Sequence, residues 1–334
     1  MYKLKSLAIS FKKNKIKSKV SLYIQIALIM AGMILFIVKP DVYIKSFSNG
    51  LLLFCKSVLP SLFPFIFFTK LLTSKGVASR IGKILGKPFK KLYKTNEASG
   101  YVFTMSILSG YPIGASITSD LFSANIIDKD DALAISSFCS TSGPLFILGT
   151  INGFFDNYKF ALLLLITNYL SALINGLVYR KKTVSNGQIT ITNNETTLSN
   201  IIQTSINSIL VVGGFIALFN MFADMLLNLG IVGFFGNLIN KVFVNLPKDI
   251  GTSFLVGIIE MTRGCLMLSA YEVNSINAAL CSFILSFGGI GIAMQSITFL
   301  QKCNISAFDY FLRKFSQASI ALVLSIPLCF LFGV

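Results

Sequence analysis

Glu260 and Arg263 stand three residues apart inside an apolar run from about Ile250 to Ser269. On a helix that spacing puts both on one face. An ionisable side chain inside a membrane-length apolar run is costly and turns toward protein. Two chemistries fit. In one, Glu260 binds a cation, a proton or the polar part of a substrate, and Arg263 tunes it. In the other, the two form a buried structural pair, or Arg263 reaches the membrane interface along its own stem. A second cluster lies in the run from Ser109 to Ala115, where Gly110, Tyr111, Pro112 and Gly114 interrupt what would otherwise be a spanning helix. Gly and Pro break helices, and the backbone groups they free need partners that lipid cannot supply. In secondary transporters such broken segments hold the substrate. A third cluster is Ser140, Thr141, Ser142 and Gly143, with Ser286 and Gly288 at a corresponding place further on. Hydroxyls and bare backbone there can coordinate a substrate or ion, or can serve only to satisfy the broken chain. Asn220 and Asp224, at i and i+4, form one more polar pair, for which a position near the outer interface is the plainer expectation.

The rest of the composition says what must hold these residues. The chain has 334 residues, 54% hydrophobic and only 13% charged, with a mean hydropathy of +0.75. Soluble domains carry about 25% charged residues. The fold class expected is therefore an all-α polytopic membrane protein. The net charge of +16 comes from Lys and Arg clustered between apolar stretches. That pattern marks topology and contact with anionic lipids at the cytoplasmic face, not nucleic acid. There is no histidine, the six cysteines are scattered, and no C-x-x-C occurs, so neither a metal site nor a cofactor is expected. No phosphate-binding G-x-x-x-x-G-K-[ST] motif or pair of catalytic aspartates is evident, and an enzyme is not expected.

Seven spans and two re-entrant hairpins follow from the apolar runs. Residues 1–19 are strongly basic and precede a first span, Val20–Val38. Span two, about Phe47–Leu72, carries Pro60 and Pro64 and should bend or unwind. Ser74–Lys94 reads as a basic amphipathic surface helix. Span three is about Ser99–Phe122, broken at the Gly110 cluster. Residues 131–155 are two apolar pieces of half length, too short for a core that takes about 20 residues, and read as a hairpin with Ser140–Gly143 at its tip. Span four, Tyr158–Tyr179, is followed by a polar linker. The second half repeats the plan: span five, Ile201–Leu229; an amphipathic piece, Ile231–Val244; span six, Ile250–Ser269; a hairpin, 275–300; and span seven, Phe311–Phe332. The domain division is thus 1–44, 45–182, 183–197 and 198–334.

Residue matches support a duplication. Phe65, Gly76 and Gly82 meet Phe219, Gly230 and Gly236 at an offset of 154; Gly114 meets Gly264 at 150; Ser137, Phe138 and Gly143 meet Ser282, Phe283 and Gly288 at 145. In that alignment Gly110 sits opposite Glu260. The piece 74–94 has seven Lys or Arg, whereas 230–246 has only Lys241. By the positive-inside rule the first is cytoplasmic and the second external. Three crossings per half produce such inverted-topology repeats, with the N-terminus inside and the C-terminus outside.

The motifs LFPFIF (Leu62–Phe67), SGYPIGA (Ser109–Ala115), TSGPLF (Thr141–Phe146) and GIIEMTRG (Gly257–Gly264) resemble the YlbJ-type sporulation integral membrane proteins, built from two nucleoside-recognition or Gate domains. The resemblance runs from about residue 45 to 330. It implies a multi-pass cell-membrane protein of endospore formation, with distant kinship to concentrative nucleoside transporters, spore maturation proteins and the gate segments of ferrous-iron permeases. Two functions remain open. One is a transporter or permease taking a small molecule or ion at a midplane site. The other is a non-transporting scaffold or assembly factor of the spore envelope. A continuous polar cavity reaching Glu260 and the hairpin tips favours the first, and dry packing there favours the second. A homo-oligomer is compatible with either.

Overall fold

The computed structural model describes residues 23, 26, 27, 29–183, 197–242 and 247–333. The basic residues 1–19, the beginning of the first predicted span and linker residues 184–196 lie outside them. All regular elements among the described residues are helical. Helix α1, Ile29–Val38, is short and apolar. Helices α2 (Pro40–Leu53) and α3 (Leu59–Ser74) are joined by a π-turn, Phe54–Val58. Pro60, just beyond, has no N–H to give residue 56, and a widened turn is one way a helix absorbs that loss. The distortion expected from the two prolines is present at that turn.

Helix α4 (Val77–Tyr93) is the expected amphipathic element. It buries Phe89 and Tyr93 and exposes Lys83, Lys87 and Lys91. Then come α5 (Ala98–Ser109), α6 (Ile113–Ser123) and α7 (Lys129–Ile135). Asp128 caps α7, accepting from the Asp131 N–H at 2.6 Å. The turn is only half solvated, because Asp131 is buried and ion-paired to Lys181 at 2.8 Å. A second π-turn, Phe146–Ile151, runs into α8 (Asn152–Phe155), and α9 (Tyr158–Val178) completes the first half. The second half has α10 (Leu198–Asn228), α11 (Ile231–Val242), α12 (Ile250–Ile259), α13 (Met261–Leu268), α14 (Ser275–Phe287), α15 (Gly289–Leu300) and α16 (Ala307–Phe332). Among the described residues, five stretches are long and apolar enough to cross a membrane: Pro40–Leu72, Tyr158–Val178, Leu198–Asn228, Ser275–Cys303 and Ala307–Phe332.

The order of spans and hairpins departs from the expectation in both halves. The segments read as spans three and six fold back on themselves. Gly264 on α13 lies against the backbone of Gly257 and Ser253 on α12. In a continuous helix residues 257 and 264 would stand roughly 10 Å apart. Gly114 on α6 likewise lies beside Ser106 on α5. The hairpins are therefore α5–α6 and α12–α13. The segments read as hairpins do not fold back. Helix α14 packs on α9 and α16, while α15 packs on α6 and α12. Together they form the candidate span Ser275–Cys303, interrupted at Gly288–Gly289.

Small residues set these approaches. Gly76 (φ 73°) and Gly230 (φ 74°) turn the chain into α4 and α11. Gly82 then rests on the backbone of Tyr101, and Gly236 on that of Thr252. Close helix contact through small residues replaces the hydrophobic drive that lipid removes. The two largest buried clusters lie between the helices. One joins Phe54, Phe146, Leu163, Cys281 and Ile284; the other joins Phe89, Tyr93, Phe138, Ile297 and Tyr310. The outer faces of α10 and α16 expose Leu210, Val211, Phe315 and Phe330, the apolar surface a bilayer covers. Gly264→Ala is expected to lower the Tm of the detergent-purified protein, with a cost of about 1–3 kcal/mol for overpacking. Gly153→Ala, whose new methyl meets open space, is expected not to lower it.

Candidate functional site

Both hairpin tips and both helix breaks converge. At the first tip Gly110 (φ 70°) leaves α5 and lies against Gly143, with no room for a side chain between them. The Tyr111–Pro112 peptide is cis, and Pro112 opens α6. The Tyr111 hydroxyl stands 3.1 Å from the Ser286 carbonyl and 3.3 Å from that of Leu285. Gly114 abuts the Cys139 carbonyl so closely that only glycine fits.

The first helix break, Ser140–Gly143, is wholly buried. Each hydroxyl there has a protein partner. Ser140 Oγ is 2.7 Å from the Tyr310 hydroxyl, and Thr141 Oγ1 is 3.2 Å from Ser106 Oγ. Ser142 Oγ donates to the Leu285 carbonyl at 3.3 Å, and its own carbonyl accepts from the Tyr169 hydroxyl at 3.3 Å. At the second break Gly288 (φ 86°) faces the Tyr111 ring, and Ser286 Oγ lies 3.3 Å from Asn168 Oδ1.

Glu260 forms the second tip. Its backbone is extended, and its carboxylate turns back to cap α13. Oε1 accepts from the Thr262 N–H at 3.0 Å and Oε2 from the Arg263 N–H at 2.6 Å. A carboxylate at a helix N-terminus satisfies free donors and opposes the helix dipole. Residue spacing suggested a Glu260–Arg263 side-chain pair, and the structure replaces it. Arg263 turns the other way and pairs with Asp224 at 2.6 Å, and its guanidinium also donates to the Asn220 carbonyl and amide oxygens at 3.2 Å. Ser46 Oγ donates to Asp224, and Asn220 Nδ2 donates to the Ser46 carbonyl at 2.6 Å. The capped tip leaves no i, i+3 face for Glu260 and Arg263 to share. Asn220 and Asp224, expected near an interface, thus fasten the second hairpin to α10 and α2.

A cavity of about 60 Å³ lies among the breaks. That is room for a few waters. Of the residues singled out from sequence, Gly110, Tyr111, Ser142, Gly143, Glu260 and Gly288 line it. Pro112, Gly114, Ser140, Thr141, Arg263 and Ser286 do not line it but hold those that do. Ser109, Thr262 and Gln295 add polar lining that sequence reading missed. It also missed Lys314, 1% exposed on α16, whose ammonium bonds the Ser140 carbonyl, Gln317 Oε1 and the Tyr111 hydroxyl. The signal was available: an ionisable residue inside span seven.

An apolar helical shell around two hairpins and two interrupted crossings defines a polytopic membrane protein of transporter-like architecture. The likeness to known proteins is more specific. Residues 55–158 match the family described as Gate: Nucleoside recognition. The chain is 27% identical over 313 residues to the sporulation integral membrane protein YlbJ of Bacillus subtilis, covering 85% of this chain and 77% of that protein. These matches bear out the resemblance carried by SGYPIGA and its companion motifs. In fold it is similar to CNTnw in an inward-facing substrate-bound state, with a TM-score of 0.57 at 15% identity over 84% of this chain and 75% of that one. A doubly substituted CNTnw in an outward-facing state gives a TM-score of 0.56 at the same identity. Contacting charges couple energetically and distant ones do not. In thermal unfolding, Arg263→Gln and Asp224→Asn are expected to show a coupling of about 1 kcal/mol or more. Glu260→Gln, which leaves the Arg263–Asp224 pair in place, is expected to show a smaller coupling to Arg263→Gln.

Proposed function

We propose that this chain is a cell-membrane transporter or permease acting in endospore formation, with its substrate site at the midplane between the hairpin tips and helix breaks. The observation that carries the reading is a small cavity lined in part by Gly110, Tyr111, Ser142, Gly143, Gly288 and the capped Glu260, and for the rest by apolar side chains such as Val58, Leu62, Phe146, Ile216 and Phe219. A scaffold needs no such space, and its core would be filled by side chains. The name of the Bacillus subtilis relative supplies the sporulation context. The solute is a small polar molecule or ion. Anything larger than a few waters enters when a hairpin moves. Each remaining lone pair of Glu260 is then available to a cation or a hydroxyl group.

The two halves, 45–182 and 198–334, are read as inverted Gate-type repeats. Exchanging hairpins and crossings leaves the crossing number odd. In this reading the first half crosses at Pro40–Leu72, at the interrupted segment 129–155 and at α9, and the second at α10, at Ser275–Cys303 and at α16. The basic α4 then lies on the cytoplasmic face against anionic lipid, and α11, with Lys241 alone, lies outside. The N-terminus is cytoplasmic and the C-terminus external.

Glu260→Gln is expected to abolish function in sporulating cells while protein level stays unchanged; near-normal function would reject the role. Comparing metabolites of spores with and without the protein should reveal loss of a particular solute. Unchanged pools with a misassembled envelope would favour the scaffold. For topology, Lys87→Cys and Asn237→Cys, made in a protein lacking the exposed Cys55, should react with impermeant reagents from opposite sides.

A further inference from the structure

Lys314 is a fully buried ionic group that lies outside the cavity wall. It belongs to α16, in the second half of the chain, yet it reaches the first helix break. Its side chain is fully enclosed, and among the described residues no carboxylate lies within ion-pair distance of it. Three oxygens surround Nζ instead: the Ser140 carbonyl at 2.7 Å, Gln317 Oε1 at 2.7 Å and the Tyr111 hydroxyl at 2.9 Å. An ammonium has three donors, so all are taken. The Tyr111 hydroxyl directs its own proton to the Leu285 and Ser286 carbonyls, and therefore accepts from Lys314. The face of the Tyr111 ring adds a further attraction, with Nζ 5.0 Å from its centroid.

This arrangement differs from a substrate-binding lysine in two ways. No N–H is left for a ligand, and Lys314 is not part of the cavity wall. It resembles instead a coordinated cation. The Ser140 carbonyl belongs to the unwound stretch between α7 and the second π-turn. The Leu285 and Ser286 carbonyls, reached through Tyr111, belong to the last turn of α14. A half-helix C-terminus carries partial negative charge, and in transporters with broken helices the unwound carbonyls and half-helix ends hold the coupling cation. Here that place is taken by the end of a side chain.

We propose that the Lys314 ammonium is a built-in cation that occupies the carbonyl-lined position joining the first hairpin tip to both helix breaks, so that the site assembles without a free monovalent cation. The functional meaning rests on reading the neighbouring cavity as a substrate site. The placement of the charge does not. A tethered cation offsets the partial charge of the helix ends and holds Tyr111 at the cavity wall. It also removes the means by which a sodium gradient would be sensed at this place.

Thermal unfolding of the purified full chain in sodium chloride and in choline chloride, at equal ionic strength, tests the proposal without any substrate. The wild type is expected to melt at the same temperature in both. Lys314→Ala is expected to lose several degrees in choline and to recover part of the loss with sodium or butylammonium, which can enter the vacated position. Lys314→Met, similar in length but uncharged, is expected to melt well below wild type in choline. Stabilisation of the wild type by sodium over choline would overturn the proposal. So would a Lys314→Met protein as stable as wild type, or a folded Lys314→Ala protein that neither cation rescues. If the alanine variant cannot be purified, the wild-type and methionine measurements still decide. Failure of the transport reading would leave each of these results standing.

Discussion

A backbone that stops being helical inside a membrane must find its partners in protein, and this requirement organises the whole molecule. Four interruptions are brought to one place, and each helps satisfy another. The Ser142 hydroxyl and the Tyr111 hydroxyl, from the first half, both address the Leu285 carbonyl at the end of α14. Gly110 and Gly143 lie backbone to backbone. Gly289 rests on the backbone of Met261, Gly257 and Ile259. An unsatisfied polar group in hydrocarbon costs several kcal/mol, so no single break is stable without the others. The long helices α9, α10 and α16 serve largely as walls that keep these breaks in register.

The same requirement divides the structure into held and movable parts. The helix breaks are tied down by the buried Asn168 and half-buried Tyr169 on α9, and by the buried Tyr310 and Lys314 on α16. The second hairpin is fastened differently. Its outer attachment is the Arg263–Asp224 pair, in which both side chains are partly exposed, with Ser46 and Asn220 as supports. Partly exposed pairs are weaker than buried ones because water competes for them. The α12–α13 hairpin, with arms of ten and eight residues, is thus held by a connection that can exchange partners. The first hairpin is locked through Gly114 and Tyr111 into the core itself.

Much of this was legible in the residues. Gly and Pro placed three of the four interruptions, at Gly110, Ser140–Gly143 and Gly288, and the distortion near Pro60; the amphipathic α4 and α11 and the long α9, α10 and α16 fall where the apolar pattern put them. Which interruption is a hairpin tip was not legible. The arms on either side of Gly110, Ser140, Glu260 and Gly288 are all too short to cross alone, so length does not separate a fold-back from a broken crossing. The decision lies in non-local contacts of small residues, Gly257 with Gly264 and Ser106 with Gly114, which no local pattern reports. The Glu260–Arg263 pairing failed for a related reason. The i, i+3 rule presumes a helix through both residues, and Glu260 is the place where the helix stops. Lys314 was overlooked although it lies inside the apolar run of span seven; the tertiary fold turns it inward.

Glu260 lines the cavity and Lys314 lies behind its wall, bonded to Tyr111, and the two do not form an ion pair. Glu260 is compensated by backbone N–H groups at the start of α13. Lys314 is compensated by carbonyl and hydroxyl oxygens at the first break and, through Tyr111, at the end of α14. Each charge meets the end of a helical segment of the opposite sign. Had the two met each other, the site would have been closed by the pair, and breaking it to admit a solute would have exposed two buried charges at a cost of several kcal/mol. In the proposed transport reading, each charge is settled on its own protein partners, so that a hairpin moving to admit a solute to Glu260 leaves Lys314 with its oxygens. The broken helices therefore solve two problems together: they expose backbone for recognition, and they supply the dipoles that make buried charge tolerable beside it.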